Sequence, residues 1–182
     1  MTQIDHTIIT RCQAGDRDAF RLVVERCQAM VFSIALKMLA DEDEAKDIVQ
    51  ETFLRVWQHI GKYDPRRSFT TWLYAIASRL CLDRLRSSTR IVALPEDEAV
   101  MQRFASADGQ LELENREWAA IVRLLAEGLS PKQHLVFTLC QLEGLSSQEA
   151  EEATGLTAKQ IKSNLFAARQ TIRERLRHMG YE

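Results

Sequence analysis

Lys159, Gln160, Lys162, Ser163, Asn164 and Arg169 fall within eleven positions of one another and share a chemistry suited to nucleic acid. Short amides and hydroxyls can bond base edges, while lysine and arginine can bond phosphates. This is the chemistry of recognition, not of bond-making. The stretch that carries them, LSSQEAEEATGLTAKQIKSNLFAARQTIRERL (Leu145–Leu176), reads as two helices and a tight turn. Ser146 lies three residues before Glu149, and Thr157 three before Gln160, so each pair can form a capping box in which side chains satisfy orphan amides at a helix start. Gly155 takes the left-handed position that ends the first helix, where other residues meet a steric penalty. In the second helix Ile161, Leu165, Ala168, Ile172 and Leu176 recur at helical spacing and are expected to face inward, leaving the polar set and Ala167 outside. Such a helix-turn-helix places its second helix in the major groove. An ordinary helical hairpin with a solvated basic face fits the same segment.

Composition bounds the alternatives. The chain has 182 residues, 46% hydrophobic and 27% charged, with seven glycines and three prolines, which points to long helices. A net charge of −2 hides its uneven distribution. Residues 60–90 carry seven bases against Asp64 and Asp83, and residues 158–182 carry six against Glu174 and Glu182. Both stretches are basic faces of the kind that meets phosphate. The four cysteines form no C-x-x-C and no histidine stands at ligand spacing from them, so they read as small core residues in a reducing compartment. No basic-then-apolar leader opens the chain and no apolar run approaches about 18 residues, so a cytoplasmic protein is expected, neither secreted nor membrane-spanning. With no paired carboxylates at a cleft, nucleophile elbow, phosphate loop or metal cluster, an enzyme is not expected and no cofactor is called for.

The elements that position these faces follow in order. Asp16 is a plausible cap for one or two amphipathic helices ending near Leu39, after a polar N-terminus. In DEDEAKDIVQETFLRVWQHI the residues Ala45, Ile48, Val49, Thr52, Phe53, Val56, Trp57 and Ile60 form one apolar stripe, and acids load the positive end of the helix dipole. The opposite side presents Asp47, Gln50, Glu51, Leu54 and Gln58. Leu54 is either an ordinary exposed leucine or an anchor for a basic partner helix. A loop, Gly61–Arg67, leads into a helix capped by Ser68, with Arg79, Asp83, Arg86 and Arg90 along one side. Aromatic rings among these bases suit a single strand, whose bases stack while cations follow the backbone; Trp72 and Tyr74 serve equally well as core. Residues 87–115 lose the helical period, gain Pro95 and Gly109, and carry six acids against two bases, as a linker does. About 22 extended residues at roughly 3.3–3.6 Å each reach about 75 Å, near two turns of duplex at roughly 34–36 Å per turn. Beyond it, Leu113–Glu127 is expected to be helical, and Ser130-Pro131-Lys132-Gln133 is a further capping box. The expected fold is all-α: a helical domain over 1–90, an acidic flexible linker over 91–112, and a helix-turn-helix domain over 113–182.

The ordered series DEAKDIVQETFLRVW, YDPRRSFTTWLYAIASRLCLDRLR, an acidic linker, then LSPKQHLVFTLCQLEGLSSQEAEEATGLT and IKSNLFAARQTIRERL resembles the extracytoplasmic-function (group 4) type of sigma-70 family RNA polymerase sigma factors over about residues 15–95 and 113–178. The resemblance implies a transcription initiation factor that binds core RNA polymerase and directs it to promoter DNA, with an anti-sigma factor as a further partner. It implies that Asp47, Gln50, Glu51 and Leu54 meet polymerase. It implies that Lys62, Tyr63, Arg66, Arg67, Trp72, Arg79, Asp83 and Arg86 hold the melted −10 strand, and that Thr157, Lys159, Gln160, Lys162, Ser163, Asn164 and Arg169 read the −35 duplex. Arg79 stands where many members have asparagine, and Asn164 and Ala167 replace frequent bases. Glu151 takes a slot usually small, so it is expected to tilt outward or meet a base. A free-standing helix-turn-helix regulator is the alternative, but the N-terminal half offers no effector-sensing motif.

Overall fold

The computed structural model describes residues 4–91, 121, 123, 124, 126, 128–178 and 180. Among these the chain is helical with no strand. The first module comprises α1 (His6–Gln13), α2 (Arg17–Leu39), α3 (Glu42–His59), a 3-10 turn (Ile60–Lys62) and α4 (Phe69–Ile91). The second comprises α5 (Pro131–Phe137), a π turn (Thr138–Leu142), α6 (Ser147–Thr154) and α7 (Ala158–His178). The acidic linker and most of the helix expected over Leu113–Glu127 lie outside the described residues.

Local sequence sets the helix starts. Asp16 accepts from the Asp18 and Ala19 amides, and Asp41 from the Glu44 amide. Ser130 with Gln133 and Ser146 with Glu149 form complete capping boxes. The Ser146 hydrogen bonds hold the Glu149 carboxyl below its ordinary range. The N-terminus is not merely polar: Asp5 caps α1, and Ile9 and Cys12 are buried. Cys27 and Cys81 are buried too, and loss of hydration pushes their thiols up to about 11 and about 12, so they remain protonated packing groups.

The two modules share a core. Leu135, Leu139, Leu145 and Ala153 of the second pack in one buried cluster with Val31, Leu73 and Ala77 of the first, and α6 lies along α4. The two expected helical modules are therefore also docked on each other, a contact that the sequence reading did not include. The contact also completes α2. The last carbonyls of a helix have no partner within it, and here His134 Nε2 donates to the Lys37 carbonyl at 2.9 Å while Arg123 Nη2 donates to the Ala40 carbonyl at 2.8 Å. Burial draws the His134 imidazole below its ordinary 6.5, against the opposing pull of the carbonyl hydrogen bond. It must therefore sit neutral in the joint.

Two backbone positions test this local logic. Gly155 closes α6 at φ 71°, and Ala40 closes α2 at φ 52° without a glycine's freedom. Gly155→Ala should lower unfolding stability by about 1–2 kcal/mol, and Ala40→Gly should raise it by at most about 1 kcal/mol, both read from urea melts. His134 sets a pH dependence. Its folded pKa lies below 6.5, so as pH falls through 6.5 the unfolded chain takes up this proton first and stability declines. The decline ends below the folded pKa. His134→Gln should flatten that acid-side slope in melts at stepped pH.

Candidate nucleic-acid interface

The helix-turn-helix rests on a small core of Val136, Ala150 and Ile161, with Leu156 and Leu165 at its edge. This fixes which side of α7 faces out. Lys159, Gln160, Lys162, Ser163 and Arg169 are exposed; Asn164 and Ala167 are half-buried at the margin. Several of these groups already have partners. The Thr157 hydroxyl and amide both meet Gln160 Oε1, at 3.2 and 2.9 Å, so this pair builds the helix start. Asn164 Nδ2 donates to the Gln160 carbonyl at 2.8 Å, and Arg169 is held by the Gln141 side-chain oxygen at 2.9 Å. Lys159, Lys162 and Ser163 are left as the outward reach of the first two turns. Sequence reasoning missed Phe166, 71% exposed and one turn beyond Lys162. An aromatic ring left in water on a helix otherwise polar on that side was the signal.

The second face is built around α4. Gln13 Nε2 donates to the carbonyls of Ile60 and Tyr63 at 3.0 and 3.1 Å, so α1 pins the loop before α4. The Thr71 amide donates to Ser68 Oγ at 3.3 Å, which caps the helix. Tyr63, Phe69 and Trp72 form an aromatic cluster with centroids 5.0 to 5.7 Å apart. Tyr63 is buried in it, and its hydroxyl donates to the Arg67 carbonyl. It is thus an underlay for Trp72 instead of an exposed stacking face. Trp72, Lys62, Arg67 and Arg79 line a cavity of about 500 Å³. Arg55 and His59 of α3 join its wall; their i, i+4 spacing could have placed them on one face of the helix. Arg66 is exposed and turned onto Asp64 at 3.0 Å, lowering the Asp64 carboxyl through that hydrogen bond. Asp83 pairs with Arg86 at 3.6 Å, both exposed, beyond the cavity.

The third set lies on α3. Asp47, Gln50 and Leu54 are exposed, Leu54 to 58%, whereas Glu51 is half-buried and paired with Arg55 at 2.8 Å. Leu54 is not isolated. With Phe20, Phe53 and Trp57 it lines an apolar depression flanked by Arg17 and Gln50. Trp57 was assigned to the core stripe; it is half-buried against Phe20, with ring centroids 4.8 Å apart.

Comparison with known proteins joins these faces. Residues 23–91 match the family model of Sigma-70 region 2, and residues 119–172 that of Sigma-70, region 4. The ECF RNA polymerase sigma factor SigW of Bacillus subtilis is 30% identical over 184 residues, which cover 94% of this chain and 96% of that one. The chain belongs to the ECF RNA polymerase sigma factors. It is a transcription initiation factor that directs polymerase to promoters. The sigma-E factor of Escherichia coli K12 is 28% identical, with 92% of each chain covered. The same fold occurs in CnrH, solved in complex with the cytosolic domain of CnrY, at a TM-score of 0.71 and 23% identity over 96% of this chain and 97% of that one. It also occurs in the sigma factor RpoE of Bartonella quintana, solved with the anti-sigma factor NepR, at 0.65 and 22% over 87% and 96%.

In this sigma factor the matched segments coincide with the two modules that carry the basic faces. Among the described residues no cluster of His, Cys, Asp or Glu is arranged to hold a metal, and no helix is long and apolar enough to cross a membrane. Glu151 is half-buried at the edge of α6, so the unpartnered carboxylate feared for a fully buried site does not arise. The aromatic underlay gives a direct test. Tyr63→Phe removes one hydrogen bond and should lower stability by about 1 kcal/mol in urea melts, with duplex affinity unchanged in anisotropy titrations.

Proposed function

We propose that the initiation factor divides its work among three surfaces. Lys159, Lys162, Ser163 and Phe166 of α7 read the −35 duplex, the lysines on phosphate and the hydroxyl and ring on base edges and thymine methyls. Thr157 and Gln160 set the helix in place through their cap, and Asn164 and Arg169 stand at its margin. Lys62, Arg66, Arg67, Trp72, Arg79 and Arg86 take the melted −10 strand, with Tyr63 and Asp83 positioning their neighbours. Asp47, Gln50, Glu51 and Leu54, extended by Phe20 and Trp57, form the seat for core polymerase. The observation that carries this reading is the placement of a ring, Trp72, in a cavity at the base of α4 that Arg55, Lys62, Arg67 and Arg79 also line.

On this reading the chain acts in the cytoplasm, where polymerase and promoter are, and makes no covalent bond itself. Its contribution is binding energy that favours opened and positioned DNA. The solved complex of RpoE with the anti-sigma factor NepR supports an anti-sigma partner for this chain as well. A free-standing regulator is disfavoured by the exposed apolar depression on α3, which such a protein would leave without use.

Lys162→Ala should weaken −35 duplex binding and reduce the slope of log affinity against log salt by about one unit, with strand opening retained. Arg86→Ala should impair opening on a permanganate footprint and leave duplex binding intact. Leu54→Ala together with Glu51→Ala should reduce co-purification with core polymerase while melting temperature stays within a few degrees. Equal effects of the Lys162 and Arg86 changes in both DNA assays would contradict the division.

A further inference from the structure

Gln13, the last residue of α1, reaches across 47 and 50 positions to the segment before α4, where its Nε2 donates to the carbonyls of Ile60 and Tyr63 at 3.0 and 3.1 Å. Its mount is firm. Ile9 and Cys12 anchor α1 in the core. Past Gln13 the Ala14, Gly15 and Asp16 amides return to the Thr10, Cys12 and Arg11 carbonyls at 3.0 to 3.1 Å, and Arg11 pairs with Asp16 at 2.7 Å. Other hydrogen bonds of the loop close on the loop and its 3-10 turn: the Tyr63 amide to the Ile60 carbonyl, the Arg67 amide to the Asp64 carbonyl, and the Tyr63 hydroxyl to the Arg67 carbonyl. Those bonds set its shape but not its place.

Close packing does not supply the place either. The loop is a wall between two cavities, the one of about 500 Å³ with Trp72 and Arg79 and another of about 570 Å³ bordered by Ile4, His6 and Ile9; Arg67 and Ser68 line both. Atoms beside open space lose dispersion partners on that side. What remains is the contact of the Tyr63 ring with Phe69 and Trp72, and the two bonds from Gln13. Burial of rings is largely non-directional, whereas a pair of hydrogen bonds fixes distance and angle. α1 precedes residue 23, where the match to Sigma-70 region 2 begins, so that match assigns it no role.

We propose that Gln13 is a positioning residue for the melted strand: by tying α1 to the Ile60 and Tyr63 carbonyls, it sets Lys62 and Arg67 at the spacing from Trp72 that a single strand engages. Gln13 itself touches no nucleotide. The inference rests on the assignment of the Trp72 cavity to the −10 strand. Without the tie the loop samples other placements, and apparent strand affinity falls in proportion to the fraction of chains with the loop in place. The number of phosphates met stays the same, so the salt dependence of binding does not change. That constancy separates a positioning group from one in contact with the strand.

Gln13→Met in the full chain keeps the length and helix propensity of the side chain and removes the donor, with no change of charge. Binding of an end-labelled oligo-dT of about 12 nucleotides, followed by anisotropy, should weaken by about three- to tenfold, with the slope of log affinity against log salt unchanged. Amide hydrogen exchange should rise over residues 60–67 and stay constant in α7, and −35 duplex binding and co-purification with core polymerase should be retained. Gln13→Lys, which returns N–H donors at similar reach, should restore most of the oligo affinity at the original slope. Unchanged strand affinity in Gln13→Met overturns the positioning role, and so does a Gln13→Lys chain that binds no better than Gln13→Met. A steeper slope in Gln13→Lys shows contact with phosphate and overturns it too, as does a loss shared equally by duplex and polymerase binding. Arg67→Ala separates the two layers. Weakened oligo binding with a shallower slope supports the strand site, so that a failure of Gln13→Met then overturns the positioning role alone; unchanged binding in Arg67→Ala shows that the strand sits elsewhere and overturns both.

Discussion

A carboxylate taken out of water has to be met by donors, and Glu143 is met by donors of the other module. That single requirement fixes how the halves of the molecule sit. Once Glu143 reaches Lys37, the π turn lies against the end of α2, His134 comes within reach of the Lys37 carbonyl, and the side of α6 bearing Ala153 closes on α4. Removing one partner of such a buried pair costs about 3–5 kcal/mol where it is fully enclosed, and less here because Lys37 is partly exposed. The apolar contact of Leu135, Leu139 and Leu145 holds the halves together without direction. The polar contacts give that contact its register.

The same arrangement explains how an acidic chain can have two basic faces. The bases are concentrated on α4 with its preceding loop and on α7, and acids are set on α3 and α6. Glu152 brings one of those acids to the cavity bearing Arg67 and Arg79. The outward side of α7, with Lys159, Lys162 and Phe166, is left exposed. The two basic faces therefore differ in the docked chain, the first having Glu152 at its wall. A third surface lies on α3, where Leu54 and Trp57 border an apolar depression.

What could be read from the sequence was local. Capping boxes at Ser130, Ser146 and Thr157, the left-handed Gly155 and the apolar stripe of α3 each depend on residues within a turn or two, and each formed as the spacing required. Where the cue was weak, less could be read: α1 has a single capping Asp5 and Ile9 and Cys12 buried along it, and its sequence reads as a polar N-terminus. Site residues were legible as types, but their packing partners were not. Tyr63 looked like a stacking ring and is a buried support, because its partners Phe69 and Trp72 are known only once the loop has turned. The spacing of Gln160 from Thr157 already announced its part in the cap. The joint was not legible at all. Glu143 is separated from Tyr74, Lys37 and Ser33 by 69, 106 and 110 positions, and no periodicity reports pairings at that range.

The account stands or falls on whether the free chain is docked in solution. Pulsed dipolar spectroscopy on full-length protein with Cys140→Ala, spin-labelled at Gln58→Cys on α3 and Gln170→Cys on α7, reads the distance between modules directly. Docking through Glu143 predicts one narrow distance distribution for the free chain and a shift to longer distances when core polymerase and promoter duplex are added. A broad distribution in the free chain, unaltered by Glu143→Gln, would contradict it.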